Sequence, residues 1–141
     1  MCGIAGFFKS QKSNLNVDGS IIANQMADTL KHRGPDDKGV WTDDVLGIAL
    51  AYQRLAIIDL SKNGSQPMTS QDNRWVIVYN GEIYNHIQLR KNLKECGFDV
   101  AWKGHSDTET LLACIQFWGI EKSLDKLTGM FAFSAIGLKS T

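Results

Sequence analysis

Proline is almost absent from this 141-residue chain, which holds only Pro35 and Pro67. That excludes a proline-rich spacer and leaves room for regular elements. Cysteine is scarce too. Cys2, Cys96 and Cys114 are odd in number and far apart, which does not make a disulfide framework and suits a reducing compartment. No Cys-x-x-Cys pair or Cys/His cluster occurs, so no metal ligand is assigned. Net charge is missing: fifteen basic side chains cancel fifteen acidic ones. The electrostatic reason to bind nucleic acid or an anionic membrane goes with it. No apolar run approaches a membrane span, and the first residues lack the layout of a signal peptide. The expected location is cytoplasmic.

What is present is an ordinary globular composition, 43% hydrophobic and 21% charged, with length for one domain and one core. Met1 to Phe8 reads as a buried strand and Ser10 to Asn16 as a loop. Between Asp18 and Lys31, Ile21, Ile22, Met26 and Leu30 recur at helical spacing, and Arg33-Gly34-Pro35 stops the helix. Short strands are expected at Gly39–Thr42, Leu46–Tyr52 and Gln53–Asp59. Trp75-Val76-Ile77-Val78-Tyr79 is aromatic and β-branched throughout, a strand buried on both faces. Asn80-Gly81 then suits a positive-φ turn.

Two more helices follow, one from Ile83 to Cys96 and one opened by Ser106-Asp107-Thr108-Glu109. The latter fits a capping box, with Ser106 and Glu109 satisfying each other's backbone N–H groups. A short helical turn around Leu124 and Leu127 and a strand from Gly129 to Phe133 follow. Strands and helices mix without strict alternation, which favours an α+β fold.

Cys2 carries the chemistry. Removal of Met1 would leave a thiol and a free α-amine on one residue. An α-amine titrates near ~7.7–8.0, so one residue can supply both nucleophile and general base. The amine can act directly or through one water. Alone, Cys2 also fits a plainer role as a small buried residue.

Met1-Cys2-Gly3-Ile4-Ala5-Gly6 resembles the opening of class II, or N-terminal-nucleophile, glutamine amidotransferases. His32-Arg33-Gly34-Pro35-Asp36 and Gln53-Arg54-Leu55-Ala56-Ile57-Ile58-Asp59 resemble the family's next two blocks. Asn80-Gly81-Glu82-Ile83-Tyr84-Asn85-His86 is similar to a block of asparagine synthetases in particular. Ser106-Asp107-Thr108-Glu109 and Gly129-Met130-Phe131-Ala132-Phe133 end the series, so six blocks in order cover nearly the whole chain.

The resemblance implies that Cys2 attacks the side-chain amide of glutamine, releases ammonia, and leaves a thioester that water hydrolyses to glutamate. It assigns the oxyanion to Asn80 and the Gly81 N–H, the α-carboxylate to Arg54 and the α-ammonium to Asp107. Leu55, Ile57, Ile58 and Glu82 match further substrate-lining positions. The implied architecture is a four-layer αββα N-terminal-nucleophile hydrolase sandwich, C-terminally incomplete, with residues 1–141 a truncated glutaminase domain. No cofactor is expected here. ATP and magnesium belong to a synthetase domain that the chain lacks and that would make asparagine from aspartate, in cis or in trans. An oligomer is possible through the parent enzyme.

Each residue also has a plainer reading. Arg54 fits a surface ion pair, Asn80-Gly81 a hairpin turn, and Asp107 a first-turn helix aspartate favoured by the dipole. His32, Arg33 and Asp36 are expected to be structural, and Cys96 and Cys114 to be core residues. Two rival functions stand beside the first: an amidotransferase for another acceptor, such as a surface-polysaccharide precursor, and a catalytically inactive fragment.

Overall fold

Ile48–Arg54 is the strand around which the first half of the chain is organised, because six of its seven residues are buried. The computed structural model describes residues 2–10, 18–56 and 61–138. These divide into two compact units, one of residues 1–56 with 65–67, the other of residues 57–64 with 68–141.

In the first unit, β1 (Gly3–Phe8), β2 (Asp37–Asp43) and β3 (Ile48–Arg54) form an antiparallel sheet in the order β1-β3-β2. The two strands expected between Leu46 and Asp59 are therefore one as far as Arg54. Residues 57–60, with the predicted substrate positions Ile57 and Ile58, lie outside the described residues. Alternation along β3 puts Ala49 and Ala51 on one face and Leu50, Tyr52 and Arg54 on the other. Helix α1 (Gly19–Thr29) lies on the alanine face, and Ala23 and Ala27 meet Ala49 and Ala51 in a core of small side chains. Small residues on both sides let helix and sheet backbones approach closely. The Asp18 carboxylate caps α1 by accepting from the Ser20 N–H at 2.8 Å, and the capping bonds hold its pKa below the usual carboxylate range.

A 3-10 turn, Lys31–Arg33, follows α1 and leads into Gly34. The Gly34 backbone crosses the end of β3 so closely that a Cβ there would lie 2.4 Å from the Arg54 carbonyl carbon. The Asp36 N–H then donates to the Arg54 carbonyl at 2.9 Å. Only a glycine permits this crossing.

In the second unit, β4 (Met68–Thr69), β5 (Trp75–Ile83) and β6 (Gly129–Gly137) form a second antiparallel sheet, ordered β4-β5-β6. Residues 76–79 are all buried, as the apolar run implies. The strand does not stop at Tyr79. Asn80 and Gly81 continue it, paired with Ala132 and Phe131, and Gly81 has no positive φ. The expected turn is corrected to extended strand. Its glycine is needed for proximity, since a Cβ on Gly81 would sit 2.4 Å from the Met130 carbonyl oxygen.

The helix expected from Ile83 begins later, as α2 (His86–Glu95), because Ile83 closes β5. Helix α3 (Asp107–Trp118) matches expectation, and α4 (Ile120–Leu124) is the short turn around Leu124. Ile77, Tyr79 and Ile83 from β5 pack with Leu89 and Leu93 of α2 and Leu111 and Ile115 of α3 as the core of this unit. Among the described residues, no helix is long and apolar enough to cross a membrane.

A Cβ at Gly39 would lie 1.8 Å from the Gln66 carbonyl oxygen, backbone against backbone. Gly39→Ala is therefore expected to lower unfolding free energy by about 1–3 kcal/mol in a denaturant titration, the range for overpacking. An unchanged midpoint would show that the two segments part without cost.

Candidate active site

Cys2 lies just before β1, and the β1–β3 register places it. Gly3 pairs with Gln53 and Ile4 with Tyr52, so Cys2 stands opposite Arg54. Directly opposed residues share a face and diagonal neighbours remain within reach of an aromatic side chain. Cys2, Tyr52 and Arg54 consequently share the face away from α1. The Tyr52 hydroxyl donates to Cys2 Sγ at 3.0 Å, and the Leu55 N–H donates to it at 3.3 Å. The thiol itself points at the Leu55 carbonyl, 3.5 Å away. Among the described residues, two donors and one acceptor thus surround the sulfur.

Leu55 and Ala56, which follow β3, are held by a further contact. Asp36 accepts the Ala56 N–H at 2.8 Å. The Arg33 Nε donates to the Cys2 carbonyl at 3.2 Å, across 31 residues of sequence. His32-Arg33-Gly34-Pro35-Asp36 is structural in the sense that it holds the Cys2 backbone and Ala56 in place. Arg54 is 6% exposed at the end of the central strand, which removes its reading as a surface ion-pair residue.

Asn80, Gly81, Glu82 and Asp107 belong to the second unit. Asn80 is half-buried, and Gly81 and Glu82 are exposed. Asp107 is buried at the first turn of α3, behind the Ser106 cap, whose hydroxyl accepts from the Glu109 N–H at 3.2 Å. Its carboxylate accepts from the Tyr79 hydroxyl at 2.6 Å, the Ile83 N–H at 2.9 Å and the Thr108 N–H at 3.0 Å. Asp107 is therefore more than a helix-dipole aspartate: it ties the start of α3 to β5, the strand that carries Asn80 and Gly81.

The segment before Asp107 is held by Arg90 of α2. Its Nε donates to Thr110 Oγ1 at 2.8 Å, and its terminal nitrogens donate to the Gly104 and Ser106 carbonyls at 3.0 and 2.9 Å. The guanidinium also stacks on Trp102, 3.9 Å from the ring centroid. Glu109, expected to reach back to the Ser106 N–H, reaches further, accepting from the Lys103 and Gly104 N–H groups at 2.8 and 3.1 Å. The capping box becomes a wider clasp over residues 103–106. Asn85 performs a similar task for β6: its side chain donates to the Lys126 carbonyl and accepts from the Thr128 N–H, at 2.8 and 3.0 Å.

Sequence reasoning missed Tyr52, Arg33, Tyr79 and Arg90. A signal existed for Tyr52, because period-2 alternation puts it on the face of Arg54. None existed for the others, whose partners lie 14 to 31 residues away. Among the described residues, no group of three or more His, Cys, Asp or Glu could hold a metal ion.

A family model described as a glutamine amidotransferase domain matches residues 1–139. The chain belongs to that family. Asparagine synthetase [glutamine-hydrolyzing] 1 of Bacillus subtilis is 40% identical to this glutamine amidotransferase domain over 133 residues, covering 94% of this chain and 20% of the relative. Asparagine synthetase B [glutamine-hydrolyzing] of Escherichia coli is 37% identical over 134 residues, covering 95% and 23%. Glutamine phosphoribosylpyrophosphate amidotransferase from B. subtilis shares the fold, with a TM-score of 0.75 at 22% identity, over 95% of this chain and 35% of that one. The expected α+β, N-terminal-nucleophile hydrolase fold is thereby confirmed. The amidotransferase domain spans about a fifth of the length of the curated relatives named here.

His86 begins α2, and its Nδ1 is buried with no hydrogen-bond partner among the described residues. Burial pulls its pKa below the ordinary histidine value, against the attraction of Asp107 and Glu82 and with the help of Arg90. The unfolded chain therefore takes up the proton first as pH falls. The stability contributed by neutral His86 is fully present above about 6.5 and is lost as pH drops through and below that value. Tm of the parent is expected to fall more between pH 7.5 and 5 than that of His86→Gln. Parallel curves would contradict this.

Proposed function

We propose that this domain hydrolyses glutamine to glutamate and ammonia through a Cys2 thioester, and that the ammonia serves asparagine synthesis from aspartate. The observation that carries the reading is the setting of the Cys2 sulfur: it lies at the start of a strand, beside the Tyr52 hydroxyl and Leu55 N–H, on the face of the buried Arg54. Family membership and the glutamine-hydrolysing relatives support it.

With Met1 removed, the α-amine takes the thiol proton, directly or through a water. The thiolate then adds to the amide carbon of glutamine, and the carbonyl electrons move onto oxygen. The reading gives that oxyanion to the Asn80 side chain and Gly81 N–H; losing one such donor typically costs about 2.7–4 kcal/mol of barrier. Collapse expels ammonia, which leaves with the proton the amine had taken. Water attacks the thioester, glutamate departs, and sulfur regains its proton.

Arg54 takes the α-carboxylate with its planar fork, and Asp107 takes the α-ammonium, so a free amino acid is preferred to a peptide-bound amide. Leu55 and Glu82 line the substrate. The acceptor step, with its ATP and magnesium, belongs to a synthetase domain in cis or in trans, and the setting is the cytoplasm.

Purified chain lacking Met1 is expected to release glutamate from glutamine, and Cys2→Ala to abolish that release while retaining its circular dichroism spectrum. Activity retained in Cys2→Ala would sink the mechanism. A thiol-reactive glutamine analogue should label Cys2, and Cys114 should resist it, being buried with its thiol pKa pushed up to about 12. Arg54→Lys loses the two-pronged contact, and its KM for glutamine should rise about tenfold or more, the scale of a hydrogen bond to a charged group. An unchanged KM would take the carboxylate away from Arg54.

A further inference from the structure

The geometry assigns Tyr52 a direct part at the nucleophile: its hydroxyl donates to the Cys2 sulfur, aims it, and supports the negative charge there once the thiol proton has left. The inference rests on the reading of Cys2 as the nucleophile. Tyr52 is 3% exposed in the middle of the sheet, and its oxygen stands 3.0 Å from Sγ. It cannot swing away without disturbing β3, which is paired on both sides. The Leu55 N–H, just past the end of β3, approaches the same sulfur at 3.3 Å.

In the resting thiol the S–H has an acceptor, the Leu55 carbonyl at 3.5 Å. When the proton passes to the α-amine, that acceptor is no longer used and both donors remain. A phenol is a weaker acid than a thiol, with ordinary values of about 10 against about 8.5. The Tyr52 proton accordingly stays on oxygen, and the hydroxyl acts as a fixed donor throughout, gaining and losing nothing. As the C–S bond forms, the negative charge moves to the amide oxygen and the hydrogen bond to sulfur weakens.

Magnitudes decide the sign of the net effect. A hydrogen bond to a charged acceptor favours the charged form by about tenfold or more. A thiolate stabilised in this way is a poorer nucleophile, along a Brønsted slope of about 0.4–0.5, so roughly threefold of the gain is returned. At neutral pH the remainder is about threefold in favour of reaction. A side chain that served only to fill space would act oppositely, because removing an oxygen beside Sγ opens room for an incoming reagent.

Tyr52→Phe keeps the ring and removes the donor. In the full chain lacking Met1, its kcat for glutamate release is expected to fall about threefold or more with KM unchanged. Alkylation of Cys2 by iodoacetamide at pH 7, followed by peptide mapping, should slow by a similar factor. Alkylation that is unchanged or faster in Tyr52→Phe overturns the inference. A parent that makes no glutamate, but whose Cys2 alkylation still slows with Tyr52→Phe, rejects the glutaminase reading and keeps the hydrogen bond. Should the variant not fold, the parent labelled at the tyrosine ζ-carbons answers by NMR: alkylating Cys2 should shift the Tyr52 signal and leave Tyr79 and Tyr84 in place, and an unmoved Tyr52 signal overturns the inference.

Discussion

The antiparallel pairing of β1 with β3 is the constraint on which the setting of Cys2 depends. It is a ladder of backbone bonds, and its register puts Cys2 opposite Arg54 and diagonal to Tyr52. A slip by one residue would turn every β1 side chain to the other face and carry the sulfur away from both. The register is held by more than the ladder. α1 presses its alanines on one face, Arg33 grips the Cys2 carbonyl, and the Gly34 crossing clamps the end of β3. A residue beside a chain terminus is ordinarily among the least ordered; here three separate elements immobilise it. Under the proposed reading, in which Cys2 depends on its own α-amine, this placement satisfies two opposed needs. The terminus must be free of the preceding residue, and its sulfur must still be fixed to within a fraction of an ångström.

The second unit solves a different problem, that of holding a carboxylate away from water. Burial of a lone charge is costly, and in practice such a group is neutralised or paired. Asp107 is 4% exposed and is met by two backbone N–H groups and the Tyr79 hydroxyl. Bonds of that kind to charged groups contribute about 1.5–3 kcal/mol each, enough to make it an anchor between α3 and β5. Under the proposed reading the same carboxylate receives an ammonium group. The two duties are compatible, because a carboxylate offers about four acceptor sites. Arg90 sits behind this arrangement, cross-linking α2 to residues 102–110 by hydrogen bonds and stacking. It fixes where α3 begins.

How much of this could be read from the chain follows from the range of each interaction. Helix α3 and its Ser106 cap were legible because both are local, and β5 was legible because its apolar run has no helical period. Asn80-Gly81 misled for the same reason. A dipeptide that suits a turn was read by local preference, whereas pairing with β6, about fifty residues on, makes it strand. There the glycine answers to the nearness of Met130 and Phe131, which no local rule carries. Ile83 likewise has the spacing of α2 but is claimed by β5. Glu109 shows the limit in miniature: its position three residues past Ser106 predicted the cap, and the open N–H groups of Lys103 and Gly104 drew the carboxylate further. The site blocks were recognisable as a series long before the contacts that explain them, since Arg33 to Cys2 and Tyr79 to Asp107 are tertiary.

Under the proposed reading, the division of roles bears on specificity. A site that pairs a buried arginine with a carboxylate, and a buried aspartate with an ammonium, gains little over water from the correct substrate. It loses much when either end is missing, because the protein's own charge is then left desolvated without its partner. Discrimination against peptide-bound amides thus comes from what the wrong substrate fails to supply. The sulfur's own setting, by contrast, is insensitive to the ends of the substrate. Its donors are a main-chain N–H and a phenol locked in the central strand, already in place before anything binds. On that reading, recognition and reactivity are carried by different residues.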